Sequence, residues 1–254
     1  MARTSRHAHI THSETGTSVF DPVLTELAYR WFCPHDGWVL DPFAGGAVRG
    51  IVAALTGRHY FGVDLSKKQI EANRLQAKDI VGSSGPMPQY VVGDSRNIPK
   101  LRVGTEFDFL FTCPPYGDLE RYSDDPADIS NLDYPKFREA YFDIIEKSCA
   151  RLKQDRFAAI VIGEIRDQKT GAYRGFLPDT VHAFQKAGLA YHNEAVLVMP
   201  VGNQRLRAGK SFETTRKLGK THANFLVFLK GDARRAAKAC GDVEFGDIEE
   251  GEAA

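Results

Sequence analysis

Between residues 38 and 186, short apolar runs alternate with amphipathic helical stretches, and this alternation leaves few folds open. "GWVLDPF", "HYFGVDL", "PQYVVGD", "EFDFLFT" and "RFAAIVIGE" read as strands, while "AVRGIVAALTG", "SKKQIEANRLQAKDI", "YPKFREAYFDIIEKSCARL" and "LPDTVHAFQKAG" carry apolar residues at helical spacing. Repeated strand–helix alternation means a parallel sheet covered on both faces. A further helix is expected over about 21 to 32, with Asp21 and Pro22 at its N-cap and first turn. "AYHNEAVLVMP" and "ANFLVFLKG" then follow as two strands with no helix between them, so the last strand should insert antiparallel. The expectation is an α/β fold with a mostly parallel seven-stranded sheet, an antiparallel last strand and helices on both faces.

The 254 residues suit one large domain or two small ones, and 43% hydrophobic content is enough for a buried core. One folded unit is expected over 19 to 232, with a flexible start at 1 to 18 and an acidic, disordered tail from 233 to 254. No apolar stretch approaches the ~20 residues of a membrane span. The start "MARTSRHAHITHSETGTS" is polar and lacks the apolar stretch of a secretory signal, which makes a cytoplasmic setting the expectation. The four cysteines lie far apart without a C-x-x-C pair, so neither a zinc site nor a disulfide framework is indicated, and no metal is expected. Net charge is zero, yet Arg205, Arg207, Lys210, Arg216, Lys217 and Lys220 cluster in "RLRAGKSFETTRKLGK" against the single acid Glu213. A neutral total can hide a basic face of the kind that contacts phosphates.

Chemistry concentrates where strands end. "LDPFAGGAVRG" places Asp41, then Phe43, Ala44, Gly45 and Gly46, between a strand and a helix; the glycines allow close approach of a ligand, and a helix N-terminus favours a carboxylate or phosphate. The spacing is neither G-x-G-x-x-G nor a Walker A loop. Asp64 and Leu65 close the second strand, where a ribose diol would be held, and Asp94 and Ser95 close the third. Asp64 could instead cap the next helix, although Ser66 suits that task. The fourth strand stops at "TCPPY", because neither Pro114 nor Pro115 can donate to a β-ladder. That rigid turn presents Cys113 before the prolines and Tyr116 after them.

"DPFAGG", "GVDLS", "GDSRN" and "TCPPY", in this order, resemble the S-adenosylmethionine-dependent amino-methyltransferases of DNA, whose catalytic motif is Asp, Asn or Ser followed by Pro-Pro-Tyr. The resemblance covers roughly residues 18 to 232 and is greatest to phage-type and prophage-type DNA methylases, some of them fused to ParB-like domains. It implies a Rossmann-like methyltransferase fold, S-adenosylmethionine as cofactor, and DNA as partner, and leaves open restriction-modification, phage DNA protection and regulation as the biological role. It also implies that Phe20 borders the methionine end of the cofactor, that Asp41 and residues 43 to 46 form its main loop, that Asp64 binds the ribose and Asp94 the adenine, and that Tyr116 stacks on a base. The departure is at position 113, where Cys is a weaker acceptor than Asp but nearly the size of Ser.

A base inside a duplex is out of reach, so such an enzyme flips it out, and an aromatic platform offsets part of the unstacking cost. The exocyclic amino nitrogen is a poor nucleophile because its lone pair is delocalised; acceptors on its hydrogens, here the Pro114 carbonyl and the residue 113 side chain, would favour the pyramidal form that attacks a methyl group. The expected product is cytosine N4 ahead of adenine N6. The alternative is attack on cytosine carbon 6 by a Cys113 thiolate, leading to carbon-5 methylation; the known carbon-5 enzymes, however, carry their cysteine after the proline pair. RNA or small-metabolite methylation, and a non-catalytic binder on a decayed fold, are further alternatives. The intact "DPFAGG" with Asp64 and Asp94 argues against decay, and the basic stretch argues against a metabolite. The segment "GDLERYSDDPADISNLDY" is either a solvated connection or a lid over the flipped base. Only the loops after Tyr116 and Pro200 remain for target recognition, so a short or relaxed recognition sequence is expected, or a separate targeting domain or protein.

Overall fold

A computed structural model describes residues 20–101, 106–117, 121–198 and 204–243. Seven strands form one sheet: β1 (Trp38–Asp41), β2 (His59–Asp64), β3 (Gln89–Val92), β4 (Phe107–Thr112), β5 (Leu152–Ile162), β6 (Ala190–Val198) and β7 (His222–Lys230). Their order is β3-β2-β1-β4-β5-β7-β6. β1 to β5 are parallel, and β7 inserts antiparallel between β5 and β6, as expected for the last strand, although the chain between β6 and β7 is not free of helix as the sequence suggested. Because β7 opposes both neighbours, β6 runs in the same direction as β5.

β4 shows how the sheet buries both faces. All six of its residues are buried; Phe109 and Phe111 point into one apolar cluster and Leu110 into the other, the period-2 alternation of a strand inside a two-sided core. Each such side chain contributes about 1.5–3 kcal/mol relative to exposure. The Phe109 and Phe111 face is covered by α1 (Pro22–Phe32), α2 (Val48–Leu55) and α3 (Lys67–Val81). The opposite face carries α4 (Tyr134–Ala150) and α5 (Phe176–Lys186), where Phe184 stacks on Phe228 of β7 at 4.1 Å.

Local signals set the helix starts. The Asp21 carboxylate accepts from the amides of Val23 and Leu24 with Pro22 in the first turn; Ser66 accepts from Gln69 N, and Asp133 from Lys136 N.

Two expectations need correction. The chain from 233 does not leave the fold at once: α7 (Ala233–Cys240) is capped by Asp232, buries Ala236 in the first core and is pinned by Arg235 to Asp155 of β5 at 2.6 Å. Residues 244 to 254, like the expected flexible start at 1 to 18, lie outside the described residues. The basic stretch between β6 and β7 is also not a loop throughout, because α6 (Gln204–Thr215) forms within it.

Candidate functional site

The strand order reverses between β1 and β4: the chain steps outward through β2 and β3, then returns to the other side of β1. Crevices outside the carboxyl ends of strands at such a switch point are where open α/β sheets bind ligands. Asp41 ends β1 and Thr112 ends β4 there.

Asp41 is fully buried and its carboxylate is fully engaged. Oδ1 accepts from Thr112 Oγ1 (2.6 Å) and the Phe43 amide (3.1 Å), and Oδ2 from Arg49 Nε (2.6 Å) and the Tyr60 hydroxyl (2.7 Å). Arg49 in turn donates to the carbonyls of Phe43 (2.7 Å) and Ala44 (3.1 Å), and its guanidinium lies 4.6 Å from the Phe20 ring centroid. Burial opposes the Arg49 charge, but Asp41 beside it prevails and holds the guanidinium more firmly protonated than usual. Burial, and then the same carboxylate, push the phenols of Tyr60 and Tyr29 up, so both stay neutral hydrogen-bond donors. Asp41 thus shapes the 43–46 loop from beneath and has no free lone pair to turn toward a ligand.

The loop's upper surface is held from the other side. Asp64 Oδ2 accepts the Gly45 amide (2.9 Å) and Oδ1 the Ser66 amide (2.8 Å), while Asn73 Nδ2 donates to the Gly45 carbonyl (2.7 Å). Gly45 has a φ of 50°, a conformation only glycine adopts cheaply, and the position of a Cβ on Gly46 faces open space. Burial raises the Asp64 carboxyl above its usual range; the two amides counter this, and the nearby charges of Asp41 and Asp128 add to it. A half-buried acceptor at the lip of an open loop fits a ligand diol. Ser66 caps α3, so Asp64 is not needed for that.

Asp94 is more occupied. It caps a 3-10 turn (Ser95–Lys100) through the Arg96 amide (2.8 Å) and receives the Arg96 side chain on both oxygens, at 3.0 and 2.8 Å from Nε. Ser95 Oγ is buried and donates to the Pro42 carbonyl (2.5 Å), which ties the third strand end to the first. Arg96 also reaches the Ala127 carbonyl (3.2 Å). Residues 127–131 are therefore a wall of the crevice: Asp128 binds Ser123 and Ser130, and Ile129 and Ser130 are buried. The alternative of a simple solvated connection does not hold for this part of the segment.

At the end of β4, Pro114 is buried, and Cys113, Pro115 and Tyr116 are half-buried. Cys113 Sγ lies 4.0 Å from the Tyr116 hydroxyl. The Tyr116 ring packs edge-on against Phe176 with centroids 6.2 Å apart, beside Gly163, where an added Cβ would stand 3.8 Å from Cε1. Burial, and then Cys113, raise the phenol, which remains protonated. Phe43 approaches from the first loop and packs on the same cluster as Tyr116.

Among the basic residues, Lys210 and Arg216 are exposed, Lys217 is half-buried, and Lys220 Nζ reaches Asn224 Oδ1 at 3.3 Å. Arg205 and Arg207 belong to α6, but their side chains lie outside the described residues.

Sequence reasoning passed over two site residues. Arg49 is a charged residue among the buried positions of the otherwise apolar α2, a pattern that signals a buried partner. Glu164 is a fourth acid just past a strand end; its Oε1 gathers the amides of Ile165 (3.0 Å), Gly175 (3.2 Å) and Phe176 (2.8 Å), capping α5 beside Tyr116.

Compared with known proteins, the sequence matches no family model, and no curated protein matches it. Solved structures do resemble it. TrmN from Thermus thermophilus is 19% identical with a TM-score of 0.54 over 82% of this chain and 48% of its own, so the chain spans about half the length of that protein. A SAM-dependent methyltransferase from Methanosarcina mazei is 14% identical, with a TM-score of 0.53 over 84% of this chain and 98% of its own. An rRNA methylase from Streptococcus thermophilus is 12% identical, with a TM-score of 0.52 over 85% and 100%. The fold is that of the S-adenosylmethionine-dependent methyltransferases, with the mostly parallel seven-stranded sheet expected from the sequence.

Proposed function

We propose that this chain is an S-adenosylmethionine-dependent DNA methyltransferase that flips a base and methylates its exocyclic amino group, cytosine N4 ahead of adenine N6. The observation that carries the reading is the placement of the Cys113-Pro114-Pro115-Tyr116 turn. It leaves β4 at the switch point, beside the Phe43–Gly46 loop, with the cationic α6–β7 connection on the same edge of the sheet.

Bound S-adenosylmethionine supplies an electrophilic methyl group. The residues of this chain do the rest. Asp64 would accept from the ribose hydroxyls, the Gly45–Gly46 turn would admit the methionine moiety beside Phe20, and Phe43 and the 127–131 wall would bound the adenosine. The Asp94 carboxylate, engaged by Arg96, would act on adenine chiefly by fixing the 3-10 turn next to it. A flipped base would enter over the proline turn. Its amino hydrogens would face the Pro114 carbonyl and the Cys113 side chain, which favour a pyramidal nitrogen as transition-state charge develops. Tyr116 would offer an aromatic surface to the extruded base, offsetting part of a cost of a few kcal/mol. Its hydroxyl, held neutral beside Cys113, fixes the ring rather than moving a proton.

Mass spectrometry of nucleosides from DNA incubated with the protein and methyl-labelled cofactor tests the reading. Label in N4-methylcytosine, or in N6-methyladenine, is the expected outcome. Label in RNA alone, or in no nucleoside, would refute it.

A further inference from the structure

Between β5 and α5 the chain makes a hairpin that the fold itself does not require. Arg166 and Tyr173 pair as an antiparallel bridge, Asp167 N bonds to Ala172 O (2.8 Å), and Arg174 N to Ile165 O (2.8 Å). The Asp167 carboxylate stabilises the tip by accepting from Thr170 N (2.7 Å) and Thr170 Oγ1 (2.9 Å), which lowers its carboxyl to about 2. The two stems of this hairpin are joined at Glu164, whose carboxylate holds the amides at 165, 175 and 176, so the hairpin grows from the spot where Tyr116 packs against Gly163 and Phe176.

The hairpin faces the end of α6. Between them lies an open cleft of about 470 Å³, lined on one side by Arg166, Gly171 and Tyr173 and on the other by Thr215, Arg216 and Lys217. Three of its lining residues are cations and none is an acid. Arg166 is pre-set: its guanidinium lies 3.8 Å from the Tyr173 ring centroid and donates to Gly171 O (2.9 Å). Arg216 sits in the left-handed region (φ 57°) with its guanidinium over Phe212 at 5.2 Å, and a side chain on Gly171 would collide with the Lys217 ammonium. Among the described residues, no carboxylate lies within ion-pairing distance of Arg166, Arg216 or Lys217; of the two acids in the hairpin, Glu164 is engaged by the amides at its base and Asp167 by its own turn and Arg174. Three cations lining one cleft, with no carboxylate in ion-pairing distance among the described residues, raise the local concentration of an anion, and an Arg fork matches phosphate oxygens.

We propose that this cleft grips a backbone phosphate of the DNA beside the flipped nucleotide, making the 163–175 hairpin, with Arg166 and Tyr173, a substrate-binding element alongside the basic stretch. The proposal rests on the DNA methyltransferase reading and adds to it where the strand is held. The cleft shares an edge of the sheet with the proline turn, since β5 and β6 both end there, and the Glu164 anchor joins it to the Tyr116 platform.

The test measures binding of a duplex oligonucleotide to the full chain across a salt series, with cofactor affinity by calorimetry as the control for folding. Combined Arg166→Gln, Arg216→Gln and Lys217→Gln substitutions should weaken DNA binding and reduce the slope of log K against log salt by about 1 for each phosphate no longer neutralised, leaving cofactor affinity unchanged. With wild-type protein, a duplex carrying a single neutral methylphosphonate next to the target base should bind more weakly, and the triple variant should no longer distinguish it from the ordinary duplex. A triple variant with wild-type affinity and slope, in a protein that does methylate DNA, overturns the cleft assignment alone. Unchanged dependence on the three cations in a protein that yields no methylated DNA nucleoside refutes the catalytic reading and leaves the cleft standing. Tighter wild-type binding to RNA of the same sequence overturns the assignment to DNA.

Discussion

Thr112 Oγ1 donates a 2.6 Å hydrogen bond to Asp41 Oδ1, tying the last residue of β4 to the last residue of β1 across the switch point. The link joins the two halves of the crevice: Asp41 sets the 43–46 loop through Phe43 N and Arg49, and Thr112 immediately precedes the Cys113 turn. The carboxylate has four donors and no exposure, so it functions as a hub of the framework.

Removing one member of that hub should therefore act on stability as strongly as on activity. Asp41→Ala leaves the Arg49 charge buried without its partner, which typically costs about 3–5 kcal/mol, whereas Thr112→Val removes one bond to a charged acceptor, about 1.5–3 kcal/mol. Urea unfolding monitored by circular dichroism measures both. An Asp41→Asn/Arg49→Met double variant should be less destabilised than the sum of its single variants, because neither charge is then left alone. Additive losses would show that the pair does not act as a unit.

Asp64 behaves in the opposite way. A carboxyl raised in the folded state contributes stability that is present at acid pH, below the unfolded value near 4, and lost as pH rises through the folded value. At neutral pH its ionisation burdens the fold. Asp64→Asn, which can still accept one backbone amide, should unfold at a urea concentration no lower than wild type at pH 7, while cofactor affinity falls by about 10–150-fold, the equivalent of one charged hydrogen bond. Calorimetry and urea unfolding on the same preparations read the two effects; unchanged cofactor affinity would remove Asp64 from the site.

Gly50 is a packing constraint beneath the loop. A Cβ there would overlap the Tyr90 hydroxyl, which donates to the Ala47 carbonyl (3.0 Å) at the start of α2. Gly50→Ala should destabilise the fold by an overpacking cost of about 1–3 kcal/mol, read as a lower thermal midpoint, and adding Tyr90→Phe should recover part of it, since the nearest overlapped atom is then gone. No recovery would locate the strain elsewhere.

The framework was legible in the sequence because it rests on local signals: period-2 and period-3.6 patterns, the Asp21 and Ser66 caps, and the Pro114–Pro115 stop. The seven strands and the antiparallel insertion follow from those. α6 escaped because its sequence is polar with no sustained apolar face, so periodicity cannot separate it from a basic loop, and α7 because its few apolar positions are mostly alanines. The strand-end acids were visible as positions but not as states. Asp41 ends β1, and Asp94 and Ser95 follow just beyond β3, yet their side chains are spent on Arg49, Arg96 and the Pro42 carbonyl, partners that only the folded chain brings into bonding geometry. The Arg166–Lys217 cleft was invisible for the same reason, since it joins segments on either side of α5 and β6.

Cys113 decides the chemistry of the proposed reaction. It precedes the prolines, and its sulfur lies 4.0 Å from the Tyr116 hydroxyl in a half-buried position; in the proposed amino methylation a base seated over the turn would meet it at the amino edge. Attack on a ring carbon must come from the face of the base. Cys113→Ser should therefore retain turnover within about tenfold of wild type, because a hydroxyl and a thiol differ by about 1 kcal/mol as neighbours of an amino group. Tyr116→Phe should be similarly mild, as the ring and its edge contact with Phe176 remain, whereas Tyr116→Ala removes a stacking surface worth about 1–3 kcal/mol. Single-turnover transfer of labelled methyl to an oligonucleotide measures all three variants. If Cys113 were a covalent nucleophile, Cys113→Ser would lose turnover by about 10⁴-fold or more, and wild-type protein would form a denaturation-resistant adduct with DNA containing 5-fluorocytosine; either result would replace amino methylation with carbon-5 methylation.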